Sequence, residues 1–157
     1  MGLSMLIPAL VEISFVGRIL NSSTASLASY VLDFFKNESV NWEQNFIVGD
    51  AAVIEVKHGC SSINQIILSL NVVVIFYLCA KIKSFSKIFV VLIIALIAPF
   101  IFNSLRVSVL FEFIASGNIK FFDLWHDGIG SLIFSMIVTL FTSYYYFWAK
   151  ENIHNSK

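Results

Sequence analysis

The stretch IFVVLIIALIAPFIFNSLRVSVLFEFI, residues 88–114, decides which solvent this chain folds in. Its first fifteen residues carry no charge, and Arg106 is the first ionisable side chain after Lys87. An uninterrupted apolar run of this length crosses a hydrocarbon layer about 30 Å thick as a helix. Pro99, in its middle, removes one backbone donor and predicts a kink. Working outward, SSINQIILSLNVVVIFYLCA (61–80) precedes it, and a run from Trp125 to Trp148 follows, with tryptophans at both ends as interfacial anchors.

Composition agrees with that reading. The chain has 157 residues, of which 58% are hydrophobic and 13% charged, against about 25% charged in an ordinary soluble domain. Lipid is therefore the natural solvent for the apolar excess. The net charge is zero, so no basic surface argues for nucleic acid as a partner.

A fourth span is expected over residues 3–20, interrupted by Pro8, Glu12 and Arg18, with an amphipathic piece from Ser26 to Phe35 after it. No basic start or small-residue cleavage site marks a removable signal there, so insertion through an uncleaved first segment is expected. Lys36 to Gly59 is polar, and the alternation around Gly49-Asp50 predicts a short hairpin. The expected fold is an all-α integral membrane protein, a single domain over 1–157. It comprises about four transmembrane helices (3–20, 61–80, 88–114, 125–148) and an extracytoplasmic hairpin segment, 36–59.

Orientation follows from lysines. Lys81, Lys83, Lys87, Lys150 and Lys157 fall on one side, and Lys36, Lys57 and Lys120 on the other. The positive-inside tendency puts the first set and the C-terminus in the cytoplasm of a multi-pass plasma or inner-membrane protein. Residues 36–59 and 116–124 then face outside. Cys60 opens its helix at that surface, Asn103 and Arg106 lie in the outer half of the next, and His126 opens the one after.

An arginine in a membrane helix costs on the order of 3 kcal/mol. It either snorkels to the interface or faces the bundle and holds an anion or a developing oxyanion. A cysteine at a helix N-terminus gains thiolate character from the macrodipole, which makes a nucleophile of it. Otherwise a lone cysteine is a small buried hydrophobe. Cys79 is no disulfide partner: on the same helix it lies roughly 28 Å away. His126 is the first choice of base, His58 the second, and His154 falls on the wrong side. The only local metal-like pair is His58–Cys60, well short of a four-ligand zinc site, so neither metal nor cofactor is expected.

Three segments, GCSSI, APFIFNSLRV and WHDGIG, resemble in order and spacing the signatures of the exosortase/archaeosortase family. The matching positions are Cys60-Ser61, then Asn103 with Arg106-Val107, then His126 with Gly130. Each motif alone is nonspecific, whereas three in order over residues 20–148 make a match.

The resemblance implies a sortase-like cysteine peptidase or transpeptidase that cleaves membrane-anchored proteins bearing a C-terminal sorting signal. It implies Cys60 as the nucleophile that forms a thioester, Arg106 as oxyanion stabiliser and His126 as proton carrier. Asn103, Ser61, His58 and Gly130 are expected to support the site or bind substrate. Water or an amine-bearing surface molecule would accept the acyl group.

Two departures are visible. Longer members carry more transmembrane helices before the cysteine, so a partner membrane protein is one expectation here. Ser62 also stands where glycine is commoner, adding bulk beside Cys60. Two alternatives stand beside the enzyme. One is a non-catalytic assembly scaffold on the same fold, in which Cys60 is dispensable. The other is a thiol redox protein, which the distance to Cys79 disfavours.

Overall fold

The computed structural model describes residues 15–36, 40–57, 60, 62–79, 82, 84–126 and 128–151. Its elements in chain order are α1 (Phe15–Lys36), β1 (Asn41–Glu43), β2 (Phe46–Val48), β3 (Val53–Glu55), α2 (Ser62–Cys79), α3 (Phe85–Ala115), α4 (Ile119–His126) and α5 (Ile129–Glu151).

Three of these, α2, α3 and α5, are long and apolar enough to cross a membrane. Only 22–33% of each apolar stretch is buried inside the protein. The remainder needs an apolar environment outside it, as lipid supplies. The 31 residues of α3 give a length of roughly 46 Å, so it is the mast on which the other helices pack. α2 and α5 lie beside each other, joined by buried Ser69 Oγ and Thr142 Oγ1 at 2.7 Å. Nearer the Cys60 end, Gln65 Nε2 donates to Ser135 Oγ at 2.8 Å. Without a hydrophobic drive between helices in lipid, such small and polar contacts are what holds spans together.

The expected span at 3–20 differs from what is found. Residues 3–14 lie outside the described residues, and 15–36 form one continuous helix in place of a span ending at 20 with a separate amphipathic piece. The run Asn21-Ser-Ser-Thr24 does not break it, because Asn21 and Thr24 turn inward with Ala25, Ala28 and Ser29. Those small residues let α1 approach α3 closely enough for Ser108 Oγ to donate to the carbonyl of Ala28 at 3.2 Å.

The segment between α1 and α2 holds three antiparallel strands in the order β1-β2-β3, one more than a hairpin. Trp42 pairs with Ile47 and Ile47 with Ile54. Ile47 and Ile54 point into the bundle and are buried, the period-2 pattern of a sheet with one covered face. The sheet covers Ala25, Ala28 and Leu32 of α1 and Val107, Leu110 and Phe111 of α3. Gly49 sits at this contact, and a Cβ there would lie 2.8 Å from the tip of the Phe111 ring, which would have to shift to admit it. A second apolar cluster, around Val73, Val91, Ala95 and Tyr146, fills the opposite end of the bundle.

At its C-terminus α3 stops in a Schellman motif. Gly117 takes φ 71°, its N–H donates to Ile114 O at 2.9 Å, and Asn118 N–H donates to Phe113 O at 2.8 Å. The chain turns at once into α4. The expected loop 116–124 is therefore mostly helix, and the expected span 125–148 is divided between α4 and α5. Gly128 marks the division: a Cβ there would meet the Leu124 carbonyl oxygen at 2.7 Å.

A candidate active site fastened by one turn of α3

Cys60 sits two residues before α2, in a tight turn closed by its own N–H donating to Lys57 O at 2.8 Å. The approach to that turn is fixed upstream. Asn45 O accepts from Val56 N–H at 2.7 Å, and Asn45 Nδ2 donates to Glu55 Oε1 at 3.1 Å. Cys60 itself is 4% exposed and packs into the cluster that holds Ile54, Val56 and Val107. Neither it nor exposed Cys79 is in a disulfide.

Asn103, 2% exposed, donates through Nδ2 to the Cys60 carbonyl at 2.6 Å and to Ser62 Oγ at 3.3 Å. Ser62 Oγ also meets Thr24 Oγ1 of α1 at 2.8 Å. The extra bulk expected at Ser62 is thus absorbed as a polar link between three helices, α1, α2 and α3. Asn103 Oδ1 is buried without a hydrogen-bond partner among the described residues.

One turn along the same helix, Arg106 is 2% exposed. It does not snorkel: its Nη2 donates to the main-chain carbonyl of His126 at 2.7 Å. His126 ends α4, where the sequence reading put it at the start of a longer helix. Its ring is half-buried and stacks on Phe122, centroids 5.1 Å apart and 16° between planes. Residues 103 and 106 differ by three positions, so they share a face with a rise of roughly 4.5 Å between them. One turn of α3 therefore holds the backbone at Cys60 and the backbone at His126.

Gly130 makes the second hold on His126. It is buried at the start of α5, where a Cβ would come within 2.5 Å of Trp125 Cα and 2.6 Å of the indole ring. The helix–helix approach that sets the course of α4 and α5 tolerates no side chain there. His58 and Ser61 lie outside the described residues. Among the described residues, no three His, Cys, Asp or Glu side chains gather as a metal would require.

Sequence reasoning missed Thr24 and the Gln65–Ser135 and Ser69–Thr142 pairs. Their signal was present: hydroxyl and amide side chains at positions 62, 65 and 69 of an otherwise apolar helix recur at helical spacing, which marks a packed face in a membrane protein.

Residues 1–143 match the family model described as transmembrane exosortase. The chain belongs to that family. No curated protein and no solved structure matches it. As an exosortase-family protein with several membrane-length apolar helices, it is a multi-pass membrane protein. The three motifs that carry the resemblance are the residues that one turn of α3 and the α4–α5 junction bring to the same end of the bundle.

Proposed function

We propose that this exosortase-family protein is a membrane-embedded cysteine peptidase or transpeptidase acting on C-terminal sorting signals, with Cys60, Arg106 and His126 as its catalytic residues and its site on the outer face. The observation that carries the reading is the shared anchorage on α3, where Asn103 grips Cys60 and Arg106 grips His126. Two groups that must cooperate on one carbonyl need a common rigid support.

In this reaction the Cys60 thiolate attacks the substrate carbonyl carbon, forming a C–S bond and an oxyanion. A guanidinium can hold a carbonyl with one nitrogen and an oxyanion with another, so Arg106 serves as the electrostatic stabiliser. The tetrahedral species collapses with cleavage of the C–N bond, and the leaving amine takes a proton from His126. Water or an incoming amine then attacks the thioester, yields its proton to His126, and releases the thiolate. The substrate is a membrane-anchored protein, and its hydrophobic helix shares the bilayer with the enzyme. A partner membrane protein could supply helices that longer members carry themselves.

A specific observation favours the second reading, a non-catalytic assembly scaffold: Cys60 is buried at 4% exposure, so substrate must displace its cover before attack. Cys60→Ala and Cys60→Ser separate the two. Co-expressed with a sorting-signal protein, each variant is expected to stay in the membrane and lose processing entirely. Processing at the wild-type rate in Cys60→Ala would leave the scaffold reading standing.

A further inference from the structure

β3 is an edge strand, and its hydrogen bonds decide which of its main-chain groups the sheet leaves over. Gly49 N–H donates to Ala52 O and Val56 N–H to Asn45 O, with Ile47 opposite Ile54 between them. In an antiparallel ladder such bonded pairs alternate with pairs whose N–H and C=O point outward. Residues 52, 54 and 56 are therefore bonded to β2, while Val53 and Glu55 turn both main-chain groups to the far side. Among the described residues no strand stands on that side, since the sheet ends at β3, and no other main chain bonds to Val53 or Glu55.

The position of this edge matters as much as its chemistry. β1 and β2 rest on α1, so β3 is the edge away from that helix, and Val53 on it is 58% exposed. The edge leads straight to Cys60. Ile54 and Val56 share the buried cluster of Cys60, and Cys60 N–H closes its turn on Lys57 O. Five residues of chain, at most about 18 Å, separate Glu55 from Cys60. The other edge, β1, turns only Trp42 outward in this way.

Such an edge selects its ligand. Val53 and Glu55 present two donors and two acceptors roughly 7 Å apart, and an extended polypeptide repeats the same groups at the same interval. A lipid headgroup carries no such repeat. A second copy of this chain could offer its own β3, but two three-residue strands alone bury far less than the roughly 1,000 Å² of a stable interface.

We infer that the open edge of β3 takes the polar segment of the substrate polypeptide as a fourth strand, bonded to the main chain of Val53 and Glu55. This rests on the peptidase reading of the site and deepens it, since the paired segment lies within about six residues of the bond that Cys60 attacks. Val53 and Glu55 are binding residues with no part in bond cleavage.

The test reads binding alone. The full chain carries Cys60→Ala throughout and is held in phosphatidylcholine nanodiscs. The probe is a synthetic peptide with an eight-residue threonine-serine segment bearing one diazirine, followed by a leucine-alanine helix of about 20 residues. Analogues carry one N-methyl group on each successive backbone nitrogen of the polar segment.

Photocrosslinking should fall about three- to tenfold at two positions two residues apart, with little loss at the residue between them. The crosslinks should map to residues 53–57. Val53→Pro removes one outward N–H and leaves the β2 ladder whole, because an edge strand admits proline where its N–H faces outward. It should weaken the parent peptide by the same factor, whereas Val53→Ala, which keeps that N–H, should bind as the parent chain does.

A flat methylation profile, losses at adjacent positions, crosslinks on residues 41–43, or no crosslink at all would overturn the assignment. So would chain dimers that Val53→Pro dissociates, because the edge would then belong to a second copy. Methylation alters only the peptide, so the profile is read even if Val53→Pro fails to fold. Processing by the unsubstituted chain is measured apart. Processing with a flat profile keeps the peptidase and overturns the strand site, and an alternating profile without processing does the reverse.

Discussion

Asn103 Nδ2 lies 2.6 Å from the carbonyl oxygen of Cys60, a side chain on the longest helix holding the main chain of a residue 43 positions earlier. Both groups are buried, and the bond forms in a medium where water cannot replace it. Its loss therefore strands a carbonyl as well as removing a contact.

Asn103→Leu is accordingly expected to destabilise the bundle by about 1–3 kcal/mol and to release the turn at Cys60. Thermal unfolding in detergent measures the first effect. Alkylation of Cys60, buried in the native protein, measures the second and should become faster. Equal alkylation rates in the two proteins would show that the turn is held by something other than Asn103.

Arg106→Lys tests whether the fork or the charge matters. Lysine offers a point charge on a flexible stem and cannot reproduce the planar donor set that meets the His126 carbonyl. Processing of a co-expressed sorting-signal protein is expected to drop by about 10²-fold or more, with Arg106→Ala lower still. Near-complete activity in Arg106→Lys would reduce the residue to a counter-charge.

Gly130→Ala places a methyl group 2.5 Å from Trp125 Cα, a backbone atom with no rotamer to yield. The α4–α5 junction must open, at about 1–3 kcal/mol for overpacking, and His126 moves with it. The expected result is a protein that still inserts and still folds but has lost most of its processing activity. A crosslink yield between cysteines introduced at positions 122 and 134, unchanged from the parent, would show that the junction had not moved.

Glu55 carries the pH prediction. The hydrogen bond from Lys57, whose Nζ is 2.5 Å from Glu55 Oε2, lowers its pKa below the ordinary value of 4.5, helped by the bond from Asn45 and opposed by desolvation. A carboxyl with a depressed folded pKa contributes stability above its unfolded pKa and loses it as pH falls through the folded one. Protection of the β2 and β3 amides, taken relative to intrinsic exchange at each pH, should therefore be high at neutral pH and fall below about pH 4.5. Glu55→Gln should flatten that dependence. The exposed lysine limits the size of the effect.

Much of the site was legible because its members contrast with their surroundings. Arg106 and Asn103 are polar groups within a membrane-length helix, a placement that needs a partner, and Cys60 and His126 stand at the ends of apolar runs. The partners themselves were not legible. Arg106 binds a main-chain carbonyl, which every residue has, so nothing in the sequence distinguishes His126 as the recipient. Thr24 and Ser62 meet through tertiary packing of α1 on α2, and serine and threonine are common enough in apolar helices to pass unnoticed.

The division of 125–148 into α4 and α5 was hidden for a related reason. Trp125 and the apolar run after Gly130 read as continuous by hydropathy, while the break depends on backbone proximity at Gly128 and Gly130. The three strands were compressed into one hairpin because β1 is exposed along its length and lacks the alternation that reveals β2 and β3.

Pro99 lies inside α3 four residues before Asn103, and a proline cannot donate to the carbonyl one turn back. The softest point of the mast thus falls just below the two anchors. When bilayer thickness changes and α3 leans, bending concentrates at that joint, and the segment above it swings as a single arm with Cys60 and His126 attached. The protein can follow the membrane's shape without altering the spacing between the turn at Cys60 and the end of α4 at His126.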